Sequence, residues 1–206
     1  MRCLVIAGPS GVGKTVLIRG ALERNARWMF SVSATTRARR EGEVEGRDYY
    51  FLSEMDFFRR VANRGFLEYA EVYGRYYGTP ASELERAAKE GRHLLIEVDT
   101  VGCLSIRALR PEFPLVAIVP PSLDELKRRL RDRGTETEES LAMRYANIVA
   151  ELQRMRGFDF TIVNDDLIAA QAELLALMGI VESGLMLVRP QVDALLSNAV
   201  GGRNEK

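Results

Sequence analysis

Residues Gly8-Pro9-Ser10-Gly11-Val12-Gly13-Lys14-Thr15 have the types and spacing of a grip for phosphate. They satisfy G-x-x-x-x-G-K-[ST] at each fixed position. Glycines let a backbone wrap closely around an anion and adopt φ > 0 without a Cβ clash. The amides then converge on phosphate oxygens at a helix N-terminus, where the dipole favours negative charge. Lys14 would bring a mobile positive charge to the outer phosphates, and the Thr15 hydroxyl could ligate Mg²⁺. The flanks agree with this chemistry. Cys3-Leu4-Val5-Ile6-Ala7 reads as a buried strand entering the loop, and Val16 to Leu22 reads as the helix leaving it. A bare glycine turn has no use for Lys-Thr at that offset.

Three more clusters could carry chemistry. Arg37 and Arg40 lie three apart in Ser33-Ala34-Thr35-Thr36-Arg37-Ala38-Arg39-Arg40, upstream of Gly42-Glu43 and Asp48-Tyr49. Taken alone this is a solvated basic loop. The other reading has two guanidinium forks gripping one phosphate, with Tyr49 as a neutral donor. Glu68 sits in the apolar run Phe66-Leu67-Glu68-Tyr69-Ala70, followed by Tyr76-Tyr77-Gly78-Thr79. Taken alone it points outward from an edge strand. Turned inward, a carboxylate needs a pair of donors. Guanine N1–H and its N2 amino group offer such a pair, and adenine does not. Arg128, Arg129, Arg131 and Arg133 follow a helix and its exit, and Arg144 lies on the next helix. Asp124, Glu125 and Asp132 could salt that face into an ordinary solvated one. A triphosphate arriving there is the alternative.

These residues need elements to position them. The apolar runs Leu94 to Asp99, Leu115 to Val119 and Phe160 to Asp165 read as parallel strands, the first ending in acid. Further strands are expected at 30–33, 48–52 and 66–72, and 73–78 reads as a turn. Ser53 with Asp56, and Ser122 with Glu125, have the spacing of helix N-caps. Pro80 is expected at the first position of a helix ending at Gly91. Other helices are expected to end near Arg133-Gly134, to run from Thr137 to Arg156, and to run from Leu167 to about Met178; Gly201 to Lys206 reads as disordered. Strands alternating with helices imply a parallel sheet with helices on both faces.

The bulk properties narrow the classes of function. Lys plus Arg and Asp plus Glu are 29 each, so nothing pulls the chain toward nucleic acid or an anionic membrane. The 47% hydrophobic content of the 206 residues suffices for a well-formed core. His93 is the only histidine, which argues against a Ser-His-Asp or Cys-His mechanism. Cys3 and Cys103 lack metal-ligand spacing and read as core residues in a reducing compartment. No leader or transmembrane run stands out, so the cytoplasm is the expected location.

Together the signatures GPSGVGKT (8–15), SVSATTRARREGEVEGRDYYF (31–51), GFLEYAEVYGRYYGT (65–79), IEVDTVG (96–102), PPS (120–122), RLRDRGTETEESLAMR (129–144) and IVNDD (162–166) resemble guanylate kinase. The resemblance covers residues 2 to about 178. It implies a P-loop α/β fold: a parallel sheet flanked by helices, with a mixed α+β GMP-binding insertion and a helical lid. The core would be 1–33, 91–123 and 156–180, the insertion 34–90 and the lid 124–155. Residues 181–206 would form a C-terminal extension of unknown role. The implied reaction is ATP + GMP → ADP + GDP with Mg²⁺, ATP and GMP being the partners. A monomer and a homodimer both stay open.

Residue by residue, the resemblance implies that Ser33, Glu68 and Thr79 read guanine and that Arg37, Arg40, Tyr49 and Tyr77 hold the GMP phosphate. Asp99 would lie near the guanine pocket and, with Thr15, near magnesium. Gly8, Pro9, Ser10, Gly11, Val12, Gly13, Lys14 and Thr15 would hold ATP, with Arg133 and Asn164 near its adenine. Lys14, Arg129, Arg133 and Arg144 would act in catalysis, the arginines from the lid. The chain departs from the usual pattern at Arg39 in place of proline, Glu97 in place of a common Asp and Tyr69 in place of a frequent Trp. Its apolar tail also runs past the family's usual end. A phosphopeptide-binding module without activity and a sugar-phosphate kinase are the rival implications. Lys14-Thr15 and the full set of lid arginines argue against the first, Ser33 and Glu68 against the second.

Overall fold

The computed structural model describes residues 1–131 and 138–184, with the backbone alone for 138–144 and 146. Nine strands and seven helices lie within the described residues. The central sheet contains β1 (Cys3–Ala7), β2 (Trp28–Phe30), β7 (His93–Glu97), β8 (Leu115–Val119) and β9 (Phe160–Val163). Their spatial order is β2-β7-β1-β8-β9, and every pairing is parallel.

Alternation along the strands builds a core on each face. Cys3, Val5, Ala7, Leu94, Ile96, Leu115 and Ala117 pack on one side with Ala87, Cys103, Ile106 and Met155. Those four partners belong to α3 (Ser82–Lys89), α4 (Thr100–Leu109) and α6 (Glu138–Met155). Leu4, Ile6, Leu95, Val116 and Ile118 face the other way. They meet Leu17, Ile18 and Ala21 of α1 (Lys14–Arg24) and Ala170, Leu174, Leu177 and Met178 of α7 (Leu167–Ser183). Both cysteines are free and buried. Burial pushes the Cys3 thiol up to about 12, as suits a small core residue.

Between β2 and β7 the chain leaves the sheet and builds a second one. It holds β3 (Ala34–Thr35), β4 (Tyr50–Phe51), β5 (Phe66–Val72) and β6 (Arg75–Pro80), in the order β4-β3-β6-β5. The β3–β4 pair is parallel, and the β3–β6 and β5–β6 pairs are antiparallel. Its own small core centres on Phe57 of α2 (Glu54–Ala62), fully buried and stacked on Phe66 at 4.5 Å between ring centroids. Helix α5 (Leu123–Arg131) follows β8.

Both N-caps expected from the spacing form. Ser53 Oγ accepts from the Asp56 amide at 3.1 Å, and Ser122 Oγ accepts from the Glu125 amide at 3.1 Å. Several expectations need correction. The strand expected at 30–33 is β2, which ends at Phe30; Trp28 and Met29 carry its burial. The strand expected at 48–52 is only the two residues of β4. The turn expected over 73–78 shrinks to Tyr73-Gly74, both with positive φ, and Arg75 to Pro80 returns as a hairpin strand. Pro80 therefore ends a strand; α3 begins two residues later without a side-chain cap. Helix α4 was not anticipated: β7 stops at Glu97, and Asp99 caps a new helix. Strand β9 stops at Val163, short of the Asp165 expected. The helix end near Arg133-Gly134, the start at Thr137 and the 201–206 tail lie outside the described residues.

Helix α7 runs to Ser183, five residues beyond Met178. Those residues include Glu182, which accepts from Trp28 Nε1 at 2.6 Å and Asn25 Nδ2 at 2.9 Å. Trp28 is fully buried, so removing Glu182 leaves its N–H without a partner. A chain cut after Met178 is expected to be less stable than one cut after Gly184 by about 1–3 kcal/mol. Thermal melts of the two truncated proteins read the difference directly. Among the described residues, no helix is long and apolar enough to cross a membrane.

Candidate functional site

The 8–15 loop connects β1 to α1 at the carboxyl end of the parallel strands, where ligands of open α/β sheets bind. Gly11 and Gly13 carry it through φ of 87° and 93°, conformations a side chain would strain. Lys14 opens α1 and folds its ammonium back over the loop. Nζ donates to Gly8 O at 2.5 Å and Pro9 O at 3.3 Å, and lies 3.9 Å from Glu97 Oε1. Burial pushes the Glu97 carboxyl up, and Lys14 pulls it back down. Ser10, Gly11, Gly13, Lys14, Thr15 and Val16 enclose a hollow of about 180 Å³, room for a phosphate group.

Asn164, buried just after β9, braces the loop from beneath. Its Nδ2 donates to Val12 O at 2.7 Å, and a Cβ at Gly13 would lie 2.6 Å from that nitrogen. The Asn164 carbonyl accepts from Arg129 Nη1 at 3.0 Å. Arg129 Nε also donates to Glu125 Oε1 at 2.7 Å, and Arg128 grips the same carboxylate. Arg128 and Arg129 hold the Glu125 carboxyl down at about 2. Glu125 therefore salts Arg128 and Arg129, as the solvated-face reading expects, while Arg129 also reaches the Asn164 backbone behind the loop. Arg133 lies outside the described residues, as does the side chain of Arg144.

A cleft of about 430 Å³ joins this loop to the insertion. Gly8, Lys14 and Thr15 line one end; Ser33, Asp48 and Tyr49 line the other; Glu97, Val98 and Asp99 lie between. Asp99 caps α4, its Oδ1 accepting from the Gly102 amide at 2.7 Å. Glu68 lies close behind. A Cβ at Gly102 would be 3.1 Å from Glu68 Oε2 and 3.4 Å from Asp99 Oδ1. Two carboxylates thus share the positive end of α4. Glu68 pairs with Thr79 across the β5–β6 hairpin, its Oε1 accepting from the Thr79 hydroxyl at 2.7 Å. Burial pushes the Glu68 carboxyl up, Thr79 pulls it down, and Asp99 pushes it up again. The outward orientation that the sequence left open does not occur.

Arg37 is held in a fork with Glu43, at 2.7 and 3.1 Å. Its guanidinium lies 5.4 Å from the Tyr49 ring centre. Tyr49 and Tyr77 meet edge-on at 6.1 Å. Arg40 joins the cluster through its backbone, its amide donating to Glu43 Oε2 at 2.7 Å, while its side chain is exposed. Glu43, which anchors both arginines, is a further residue of this site, beyond those the sequence signatures assign. Its spacing from Arg37 and Arg40 was the available signal. Glu151 of α6 was also missed. Burial pushes its carboxyl up, Lys14 pulls it down and Asp99 pushes it up further.

The donors near Lys14 are the Thr15 hydroxyl and the Asp99 and Glu97 carboxylates. These are hard oxygen groups of the kind Mg²⁺ takes. Among the described residues, no cluster of three or more His, Cys, Asp or Glu is arranged to hold a metal by itself. That set fits an ion that draws most of its ligands from phosphate oxygens and water.

The family model described as guanylate kinase matches residues 1–179. A guanylate kinase of Symbiobacterium thermophilum is 43% identical over 175 residues, covering 85% of this chain and 83% of its own. One of Clostridium perfringens is 37% identical over 203 residues, covering 98% of this chain and 91% of its own. That alignment continues past the span of the family model, so the tail is not foreign to such proteins. The crystal structure of guanylate kinase from Anaplasma phagocytophilum superposes with a TM-score of 0.68 at 30% identity, covering 95% of this chain and 93% of that one.

Proposed function

The chain belongs to the guanylate kinase family, and from that premise we propose that it transfers the γ-phosphoryl group of ATP to GMP, giving ADP and GDP, in the cleft between the 8–15 loop and the insertion. The observation that carries this reading is the 430 Å³ cleft itself, lined by Lys14 and Thr15 of the loop, by Ser33 and Tyr49 of the insertion, and by Asp99 between them. A donor triphosphate on the loop and an acceptor monophosphate on the insertion meet there end to end.

An oxygen of the GMP phosphate attacks the γ-phosphorus. The bond from that phosphorus to the β–γ bridging oxygen breaks, and ADP leaves with the electron pair. Such a transfer needs alignment and charge neutralisation, and no covalent intermediate on the protein. Lys14 neutralises charge on the transferring group, and the 8–15 amides hold the phosphates. Arg129, Arg133 and Arg144 add positive charge from the lid over residues 124–155. Arg133 and Asn164 flank the adenine. Mg²⁺, when bound, would be held by Thr15 and Asp99 and would neutralise charge on the phosphates. On the acceptor side, Arg37, Arg40, Tyr49 and Tyr77 hold the phosphate. Ser33, Glu68, Thr79 and Asp99 take the guanine. Closure over both nucleotides keeps water from intercepting the phosphoryl group.

Arg37→Ala is expected to raise the KM for GMP by roughly ten-fold or more, the effect of losing a charge-assisted hydrogen bond to phosphate. Arg40→Ala, at an exposed position, is expected to act in the same direction. Both should leave the KM for ATP nearly unchanged. A main effect on ATP in either variant would assign the insertion to the other nucleotide. The reading as a whole is tested by ADP release across GMP, AMP, CMP, UMP, sugar phosphates and a blank without acceptor. GMP-dependent release supports it. Release with a sugar phosphate alone, or none with any acceptor, overturns it.

A further inference from the structure

Glu83 is a carboxylate only 1% exposed, far from any phosphate-binding motif in the sequence. It lies in the first turn of α3, the helix by which the insertion returns to the central sheet. Four donors converge on it. Oε2 accepts from the Val32 amide at 2.6 Å and from Arg86 Nη2 at 2.5 Å. Oε1 accepts from the Tyr50 hydroxyl at 2.9 Å and from Arg86 Nε at 3.0 Å. Arg86 Nη2 also donates to Phe30 O at 2.9 Å. A buried charge satisfied this fully is held in one geometry.

Its partners sit where the chain crosses from the core into the insertion. Ser31 is still tied to the core, its amide donating to Leu95 O at 2.9 Å. Ala34 already belongs to the second sheet. The crossing is therefore Val32-Ser33, and Ser33 is bracketed on both sides. Glu83 grips Val32 just before it. Glu83 also grips Tyr50, whose amide donates to Ser33 O at 2.9 Å. Tyr49, the residue next to Tyr50, lines the same cleft as Ser33.

We propose that the Glu83–Arg86 ion pair is a clasp at this crossing, and that Glu83 is a positioning residue that sets Ser33 and Tyr49 toward the acceptor nucleotide. The proposal rests on the guanylate kinase reading of the cleft. The clasp fixes the insertion relative to the 8–15 loop without touching either nucleotide. Its loss should loosen acceptor binding and spare the donor.

Two variants test it. Glu83→Gln removes the charge at constant volume. Tyr50→Phe removes one hydroxyl and leaves the buried pair intact, so it reports even if the first variant folds poorly. Calorimetric titration with GMP, and separately with a non-hydrolysable ATP analogue, gives each affinity. Glu83→Gln is expected to weaken GMP by about ten-fold or more, and Tyr50→Phe by about three- to ten-fold. The ATP analogue should stay within about two-fold in both. In turnover, the KM for GMP should rise more than kcat falls. Unchanged GMP affinity alongside a lowered melting temperature would make the pair purely structural and overturn the proposal, leaving the kinase reading intact. A wild-type protein that neither binds nor phosphorylates GMP would overturn both.

Discussion

Lys14→Ala is expected to lower kcat by at least about a hundred-fold while the protein stays folded. The scale is that of removing one preorganised positive group from a transferring phosphoryl. The ammonium bends over the loop onto Gly8 O and Pro9 O. The fold does not depend on it, because Gly11 and Gly13 set the turn and Asn164 braces it from Val12. The substitution also takes the neutralising charge from beside Glu97, whose carboxyl is already pushed up by burial. Protonation of Glu97 should then begin at higher pH than in the wild type. Circular dichroism checks folding, and turnover at saturating ATP and GMP checks the rate. Retention of more than about a tenth of wild-type kcat would contradict the role given to Lys14.

Glu68→Gln is expected to lower kcat/KM for GMP by roughly ten-fold to a few hundred-fold. A carboxylate can accept from both guanine N1–H and N2. An amide of nearly equal volume turns one acceptor into a donor and leaves an unmatched pair in a closed site. ATP affinity should barely move, and the preference for GMP over AMP should shrink, since AMP makes neither bond. The substitution also makes a prediction in pH. Burial raises the Glu68 carboxyl above its ordinary range, near 4.3 for a free glutamate. The ionised form receives guanine and is lost as pH falls through that raised value. The wild-type KM for GMP should therefore climb at a higher pH than an ordinary carboxylate would give. The variant should lack that limb. The nucleotide phosphate titrates against both proteins and cancels in their ratio. Full GMP preference in the variant would mean that guanine is read by other groups.

The legible parts of this chain were those with a local signal. The 8–15 loop, the apolar runs of β1, β7 and β8, and the caps at Ser53 and Ser122 all depend on residues within a few positions of one another. Strand β6 was hidden because glycines at 74 and 78 frame its aromatic residues and imitate a turn; pairing with β5 and β3 overrides that signal. Helix α4 was hidden by its own cap, because Asp99 reads equally as the acid ending a parallel strand. The carboxylates are the harder case. Glu83 meets the Val32 amide 51 residues away in sequence, and no local pattern distinguishes it from Glu85 or Glu90 in the same charged stretch. Glu68 was recognisable as an acid in an apolar strand, but its inward turn follows from Thr79 across the hairpin and from the Asp99-capped helix behind it.

Transfer from ATP to GMP is tested most directly by product stoichiometry. The wild-type protein is incubated with equal amounts of ATP and GMP in the presence of Mg²⁺, and the nucleotides are separated by anion-exchange chromatography over time. ADP and GDP are expected to appear one for one, each matching the loss of its precursor, with no free phosphate. ADP accompanied by inorganic phosphate while GMP stays intact would make the protein an ATPase at this cleft and contradict phosphoryl transfer to GMP.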